Sequence, residues 1–247
     1  MDDDLNWRVE EACRNAWPSS RELIYRGWIM RFSGGTIRRT NSVNPLRGHR
    51  EKPKGVIELA ETLYRSLGRT PIFRVPQIAD DLDQSLTAQG YGFEGASAVR
   101  LCELATHTTA MSDDVIVETE MNDDWHSAST RIGASSKFDD AIFRDMIATI
   151  VVLKAFTSIK ADGRIVAKAY GAIHDGLLVL ESVATDPDYR QRGYSRKVVS
   201  ALMTWAKTRG VEAACLQVVA DNIPALALYN ALGFNRELYL YHYRVKK

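Results

Sequence analysis

Little in this sequence points to a metal, a disulfide or a membrane. Its three cysteines, Cys13, Cys102 and Cys215, are odd in number, far apart and without C-x-x-C spacing. Neither a disulfide framework nor a zinc site is suggested by that spacing. They read as small buried hydrophobes in a reducing compartment. The five histidines are scattered and show no ligand pairing. No apolar run reaches the ~20 residues that a bilayer span needs, and the acidic start Met1-Asp2-Asp3-Asp4-Leu5 lacks the apolar core of a signal peptide. An excess of either charge is missing too. With 32 Lys and Arg against 31 Asp and Glu, the net charge is +1, which argues against nucleic-acid binding driven by bulk electrostatics. Any anion site must therefore be local. The expectation is a cytoplasmic protein with no metal, no nucleic-acid partner and no membrane.

What is present is enough chain for a sizeable core, 247 residues with 45% hydrophobic content, as one large or two small domains. The stretch from Leu177 to Gly233 organises it. An apolar strand, Leu177 to Leu180 and then Ser182, Val183 and Ala184, feeds the basic glycine loop Arg190-Gln191-Arg192-Gly193-Tyr194-Ser195, which opens an amphipathic helix. A turn of that kind aims several N–H groups and the positive end of a helix dipole at one spot, which suits an anion and most often a phosphate. No G-K-[ST] follows the glycine, so P-loop nucleotide hydrolysis is disfavoured. A second strand, Ala213 to Val219, leads to Asn222-Ile223-Pro224, a short helix carrying Tyr229, and the stop Gly233-Phe234.

These residues resemble the GNAT superfamily of acyl-CoA-dependent N-acetyltransferases. Arg190, Gly193 and Ser195 fall on its R/Q-x-x-G-x-G/A loop, preceded by Val183-Ala184-Thr185-Asp186-Pro187, and Asn222 through Phe234 fall on its N-x-x-A-x-x-L-Y-x-x-x-G-F segment. Ser195 departs from the usual Gly or Ala, and its side chain is small enough for close backbone approach. The clear resemblance covers about the last third of the chain. It implies that Val183, Ala184 and Thr185 bind the pantetheine arm of acetyl-CoA, and that Arg190, Gln191, Arg192, Gly193, Tyr194, Ser195 and Arg196 cradle its phosphates. By the same resemblance, Asn222 caps its helix and also contacts the cofactor.

The first half repeats the succession of elements. A helix from Leu5 to Trp17 precedes alternating residues Trp28, Met30 and Phe32, and Gly34-Gly35 is expected to turn the chain into a return strand through Ser42 and Val43. A helix ending at Gly68, a strand Pro71 to Val75, a capped helix ending at Gly90 and a strand Ala96 to Glu103 follow. The second half repeats this order from about Ser195 to Val245. Chemistry is missing from the first copy. Its loop Leu46 to Pro53 lacks the motif spacing, and Leu86 stands where Tyr229 stands later. Arg47, His49, Arg50 and Lys52 make a cationic cluster there, most simply a solvated loop. The polar run Ala105 to Asp114 is the junction. The expected fold is α/β, an α+β mixed sheet in tandem GNAT-like domains. A mostly antiparallel central sheet is flanked by helices and holds a splayed strand pair for coenzyme A. Residues 1–108 form a degenerate domain and residues 109–247 a catalytic one. Helices from Asn122 or Asp123 to Ile132 and from Phe138 to Ile150 supply, by resemblance, much of the acceptor wall. Val151 to Ile159 and Arg164 to His174 form a hairpin about Asp162-Gly163.

Acetyl transfer needs a neutral amine at a thioester carbonyl, a stabilised oxyanion and a proton for the departing thiolate. Tyr229 is the candidate acid, since a phenol is protonated at neutral pH; a core tyrosine with a satisfied hydroxyl is the plainer reading. Relatives that acetylate protein amino termini carry a glutamate where this chain has Gln217, an amide that cannot accept a proton. Glu181, interrupting an apolar strand, is the candidate base, beside the readings of a salt-bridged strand residue or a water relay. The expected function is transfer of acetyl from acetyl-CoA to a primary amine, on a small molecule or a peptide, without metal. The alternative is a non-catalytic acyl-CoA-binding or sensing protein of the same fold. A shared terminal strand would allow a homodimer.

Overall fold

The strand order of the sheet does not follow the chain, and that sets where the site lies. The computed structural model describes residues 3–105, 107, 111–132 and 140–246. The helices are α1 (Asp3–Ala16), α2 (Pro53–Ser66), α3 (Asp83–Ala88), α4 (Asp123–Ile132), α5 (Asp140–Ala148), α6 (Tyr194–Lys207) and α7 (Ile223–Ala231). The strands are β1 (Glu22–Tyr25), β2 (Trp28–Arg31), β3 (Val43–Pro45), β4 (Ile72–Pro76), β5 (Tyr91–Glu103), β6 (Ile116–Glu118), β7 (Lys154–Ala161), β8 (Arg164–His174), β9 (Leu177–Thr185), β10 (Ala213–Val219) and β11 (Arg236–Lys246). Among the described residues these form one sheet in the order β1-β2-β3-β4-β11-β5-β10-β9-β8-β7-β6.

The last strand, β11, lies between β4 and β5 of the first half, and β5 lies between β11 and β10 of the second. Each half thus lends its final strand to the other. The terminal strand is shared between the two halves of one chain, and among the described residues the sheet is continuous from one half to the other. All pairings are antiparallel except β3 with β4 and β9 with β10, the corresponding pair in each half.

Three apolar clusters fill the two faces. On one face α1, α4 and α5 cover β8 and β9 through Val9, Cys13, Trp125, Phe143 and Tyr170. On the other α6 buries Val198, Val199, Leu202 and Met203, spaced by one helical turn, against Leu178, Leu180 and Leu216. Each such side chain contributes roughly 1.5–3 kcal/mol. The third cluster packs α2, with Val56, Ile57, Ala60 and Tyr64, on β2 and β4.

The first half departs locally from expectation. All four residues of β2 are buried, so the alternation does not mark a solvent face. After Gly34-Gly35 the chain does not return directly as a strand. It makes a 3-10 turn at Arg38–Thr40, and β3 is only three residues long. Asn41 explains this: its side-chain oxygen accepts from the Gly34 amide, and its nitrogen donates to the carbonyls of Gly34 and Ile37. A side chain that satisfies the backbone locally competes with a ladder. The hairpin at Asp162-Gly163 is as expected, with φ of 50° and 75° at the two positions. Helix α5 starts at Asp140; the part of that expected helix before it, and the junction residues 106 and 108–110, lie outside the described residues.

Candidate active site

The site begins where β9 and β10 part. They pair in parallel for four positions, Leu177 to Leu180 with Ala213 to Leu216, and both strands then run on, to Thr185 and Val219. Ser182, at a φ of 54°, bulges β9 at the fork, and the β8–β9 register shifts between Lys168 and Tyr170. Beyond it Ala184 and Thr185 keep β8 on one side, and among the described residues no strand pairs with Val183 to Thr185 on the other. A free strand edge of this kind can accept an extended, amide-bearing chain.

At its end β9 enters the glycine loop. The loop is held by Asp186, which is buried, accepts from the Asp188 amide and pairs with Arg131 of α4 at 2.6 Å and with Arg164 at 3.3 Å. Gln191 and Gly193 both adopt left-handed φ values, 60° and 76°, so successive amides turn toward one point. A Cβ at Gly193 would meet no atom within 4 Å, which leaves its amide face open. Gly193 also starts α6, whose first-turn amides have no intrahelical acceptor. Ser195 has a role that Gly or Ala cannot fill: its hydroxyl lies 2.6 Å from that of Thr185, tying strand end to helix start.

Across the fork, Asn222 caps α7 by accepting from the Ala225 amide. Gly233, at a φ of 94°, ends α7, and Phe234, whose amide bonds the Tyr229 carbonyl, stacks edge-on against the Tyr229 ring. This fixes the phenol at the cleft wall. The cleft is a cavity of about 770 Å³ lined by Val183, Ala184, Thr185, Arg190, Gln191, Gly193, Tyr194, Ser195, Arg196, Asn222 and Tyr229, with Leu228 and Pro224 among its apolar wall. Of the residues expected at the cofactor, only Arg192 is off the lining; it lies over the Tyr189 ring and donates to the Asp188 carbonyl. Arg190 and Arg196 carry no carboxylate partner among the described residues, so the mouth is cationic. Tyr229 is 8% exposed, and burial, then the charge of Glu181, raise its pKa well above the ordinary phenol value.

Glu181 is elsewhere. It does not line the cleft, is 5% exposed, and accepts from both terminal guanidinium nitrogens of Arg39, Nη1 at 2.6 Å and Nη2 at 2.8 Å. Both carboxylate oxygens are thus taken up by the ion pair, away from the cleft lining. Arg39 lies 142 residues away, and no local pattern points to it as the partner. Burial works against the Arg39 charge, and the Glu181 carboxylate outweighs it, so the Arg39 pKa is raised.

Lys168 was also missed, although a lysine in the apolar run from Ile165 to Tyr170 was a visible signal. It is fully buried, with Nζ 2.8 Å from the Ser182 hydroxyl, donating also to the Ser182 carbonyl at 3.3 Å, and 4.0 Å from the Trp125 ring centre. Burial without a carboxylate lowers its pKa from 10.5 to about 7. Between those values the unfolded chain binds this proton and the folded protein does not, so stability rises with pH across that window. Urea midpoints measured from pH 7 to pH 10 should climb by an amount on the order of 4 kcal/mol in stability. Lys168→Met should abolish the Lys168 part of that climb.

Fork, glycine loop and paired helices on a mixed sheet are the architecture of the GNAT superfamily, and the chain is an acyltransferase of that class. Residues 7–244 match the family model described as "Probable histone acetyltransferase Rv0428c C-terminal". The chain belongs to that family. It is 25% identical over 251 residues to the uncharacterized N-acetyltransferase YobR of Bacillus subtilis, covering 99% of this chain and 100% of that one. It is 40% identical over 75 residues to the ribosomal protein bS18-alanine N-acetyltransferase of Salmonella typhimurium, covering 30% of this chain and 51% of that enzyme. In fold it is similar to a GCN5-related N-acetyltransferase from Kribbella flavida, with a TM-score of 0.68 at 15% identity over 100% of this chain and 95% of that one. A tandem GNAT protein of the clavulanic acid pathway aligns with a TM-score of 0.60 at 14% identity over 83% of this chain and 75% of that one. No described helix is long and apolar enough to cross a membrane.

Proposed function

We propose that the protein transfers the acetyl group of acetyl-CoA to a primary amine by direct attack, with Tyr229 as the acid and with residues 109–247 as the catalytic unit and 1–108 as its degenerate copy. One observation carries this reading: ten of the eleven residues expected at the cofactor converge with Tyr229 on a single cleft. When bound, acetyl-CoA supplies an activated acyl carbonyl and a pyrophosphate handle. The free edge of Val183 to Thr185 holds the pantetheine arm. The first-turn amides of α6, with Arg190 and Arg196, take the phosphate oxygens. Arg192 contributes long-range charge only.

Tyr229 keeps its proton at Oη at any pH the protein meets, because burial raises its pKa. It is therefore a weak acid and acts mainly as a hydrogen-bond donor to the departing sulfur. Glu181 is left out of the acid–base chemistry, and the amine loses its proton to water. The degenerate copy is supported by Leu86, a core residue at the place of Tyr229.

Release of free thiol from acetyl-CoA, followed across a panel of small amines and peptides, tests the proposal. Turnover should appear with at least one amine and saturate in acetyl-CoA. Tight coenzyme A binding with no turnover across the panel would instead support the non-catalytic sensing protein.

A further inference from the structure

We propose that Arg39, delivered by the first half, is a positioning residue that holds open the strand fork of the second. The inference rests on the transferase reading above, since it assigns the fork as the acyl site. The last paired residues of the fork are Leu180 and Leu216. The next on each strand, and the first unpaired, are Glu181 and Gln217. One nitrogen of Arg39, Nη1, donates to both: to Glu181 Oε1 at 2.6 Å and to Gln217 Oε1 at 3.4 Å, while Nη2 takes Glu181 Oε2 at 2.8 Å. The guanidinium thus stands as a wedge across the vertex. It replaces the ladder bond that would otherwise zip the two strands one position further and narrow the cleft.

The wedge is itself fixed. Its guanidinium lies over the Trp17 ring at 4.3 Å, and Arg31 donates to the carbonyls of both Arg39, at 2.9 Å, and Trp17, at 2.7 Å. Gln217 is held from its other side by the hydroxyl of Tyr241 on the exchanged strand β11, at 3.2 Å. Alternation along β9 and β10 puts Glu181 and Gln217 on the α1 face of the sheet, with Val179 and Cys215, whereas Tyr229 belongs to the α6 face. The acid therefore reaches the fork from one side, and the first half closes it from the other. The first half carries its own version with charges reversed. There β3 and β4 part after Val43 and Phe73, and the next residue of β4, Arg74, is paired with Glu10 of α1.

Three variants and two measurements test this. Arg39→Met should lower kcat about 10- to 100-fold while KM for acetyl-CoA changes less than about threefold, because the phosphate cradle is untouched. Arg39→Lys should behave like Arg39→Met, since a point charge cannot bridge both strands. Arg39→Glu combined with Glu181→Arg should recover at least tenfold over either single change. The second measurement needs no turnover: in the ligand-free protein, amide hydrogen exchange at 181–184 and 217–219 should slow in Arg39→Met, as the freed strands zip one position further, while exchange in α6 stays as it was. Unchanged fork exchange, or kcat equal to the unsubstituted protein, overturns the proposal. So does a general loss of protection that the charge exchange fails to mend, which would make Arg39 an ordinary structural contact. Failure of the unsubstituted protein to bind coenzyme A by titration would sink the transferase reading instead, leaving the exchange result to judge the wedge.

Discussion

Tyr229→Phe is expected to lower kcat by about 100-fold, or roughly 2.7 kcal/mol of transition-state stabilisation, with coenzyme A affinity unchanged within twofold. The phenol is buried against Phe234, so loss of one oxygen leaves the ring packing in place and the effect isolates the hydroxyl. The pH profile adds a sign. A Tyr229 pKa raised by burial means that no falling limb below pH 10 belongs to this residue. Activity of the unsubstituted protein should rise with pH as the amine deprotonates and then level, and the Phe variant should trace the same shape at lower height. Equal turnover in the two proteins would remove Tyr229 from the chemistry.

The largest stability effect should come from Arg74→Met. Arg74 and Glu10 are each 4% exposed, joined by two bonds of 2.6 and 2.8 Å, and the Tyr239 hydroxyl donates to the same carboxylate at 2.5 Å. The Arg74 guanidinium also sits 3.8 Å from the centre of the Tyr241 ring. Burial pushes the Glu10 carboxyl up, and the charge and hydrogen bonds of Arg74 with the Tyr239 hydroxyl more than reverse that, leaving it below the ordinary value. Removing Arg74 strands a buried charge, at a cost of about 3–5 kcal/mol. The double variant Glu10→Met, Arg74→Met should regain most of it, since a buried pair contributes little beyond its apolar replacement. Denaturant unfolding of the two variants decides this. In the single variant the penalty should shrink toward pH 5, where the stranded carboxyl can protonate. In the unsubstituted protein the same pair stabilises above the usual carboxylate range and is lost as pH falls through the lowered Glu10 value.

Local pattern made much of this molecule legible. Helices with one apolar stripe, such as α1 and α6, were readable because residues three and four apart meet the same partner surface. The glycine loop and the Asn222 to Phe234 segment were readable because an anion cradle and a helix stop each demand particular residues at particular spacings. Two edge strands were not. β1 leaves Ile24 69% exposed, and β6 has only three residues, so neither carries a burial pattern. The exchange of β5 and β11 was hidden for a different reason, since alternation reports that a strand has a buried face and is silent on its neighbours. Glu181 illustrates the limit at the site. Its place in an apolar strand correctly marked it as unusual, but whether such a carboxylate is a base or half of an ion pair depends on a partner from a distant turn.

The crossing of β5 and β11 also bears on how the protein is made. As the ribosome emits the chain, the first half must wait with β4 and β5 unzipped until residues 236–246 have been synthesised, because nothing earlier fills the gap between them. A nascent protein so arranged exposes two sheet edges from the emergence of β5 until that of β11, and truncation before residue 236 would damage both halves at once.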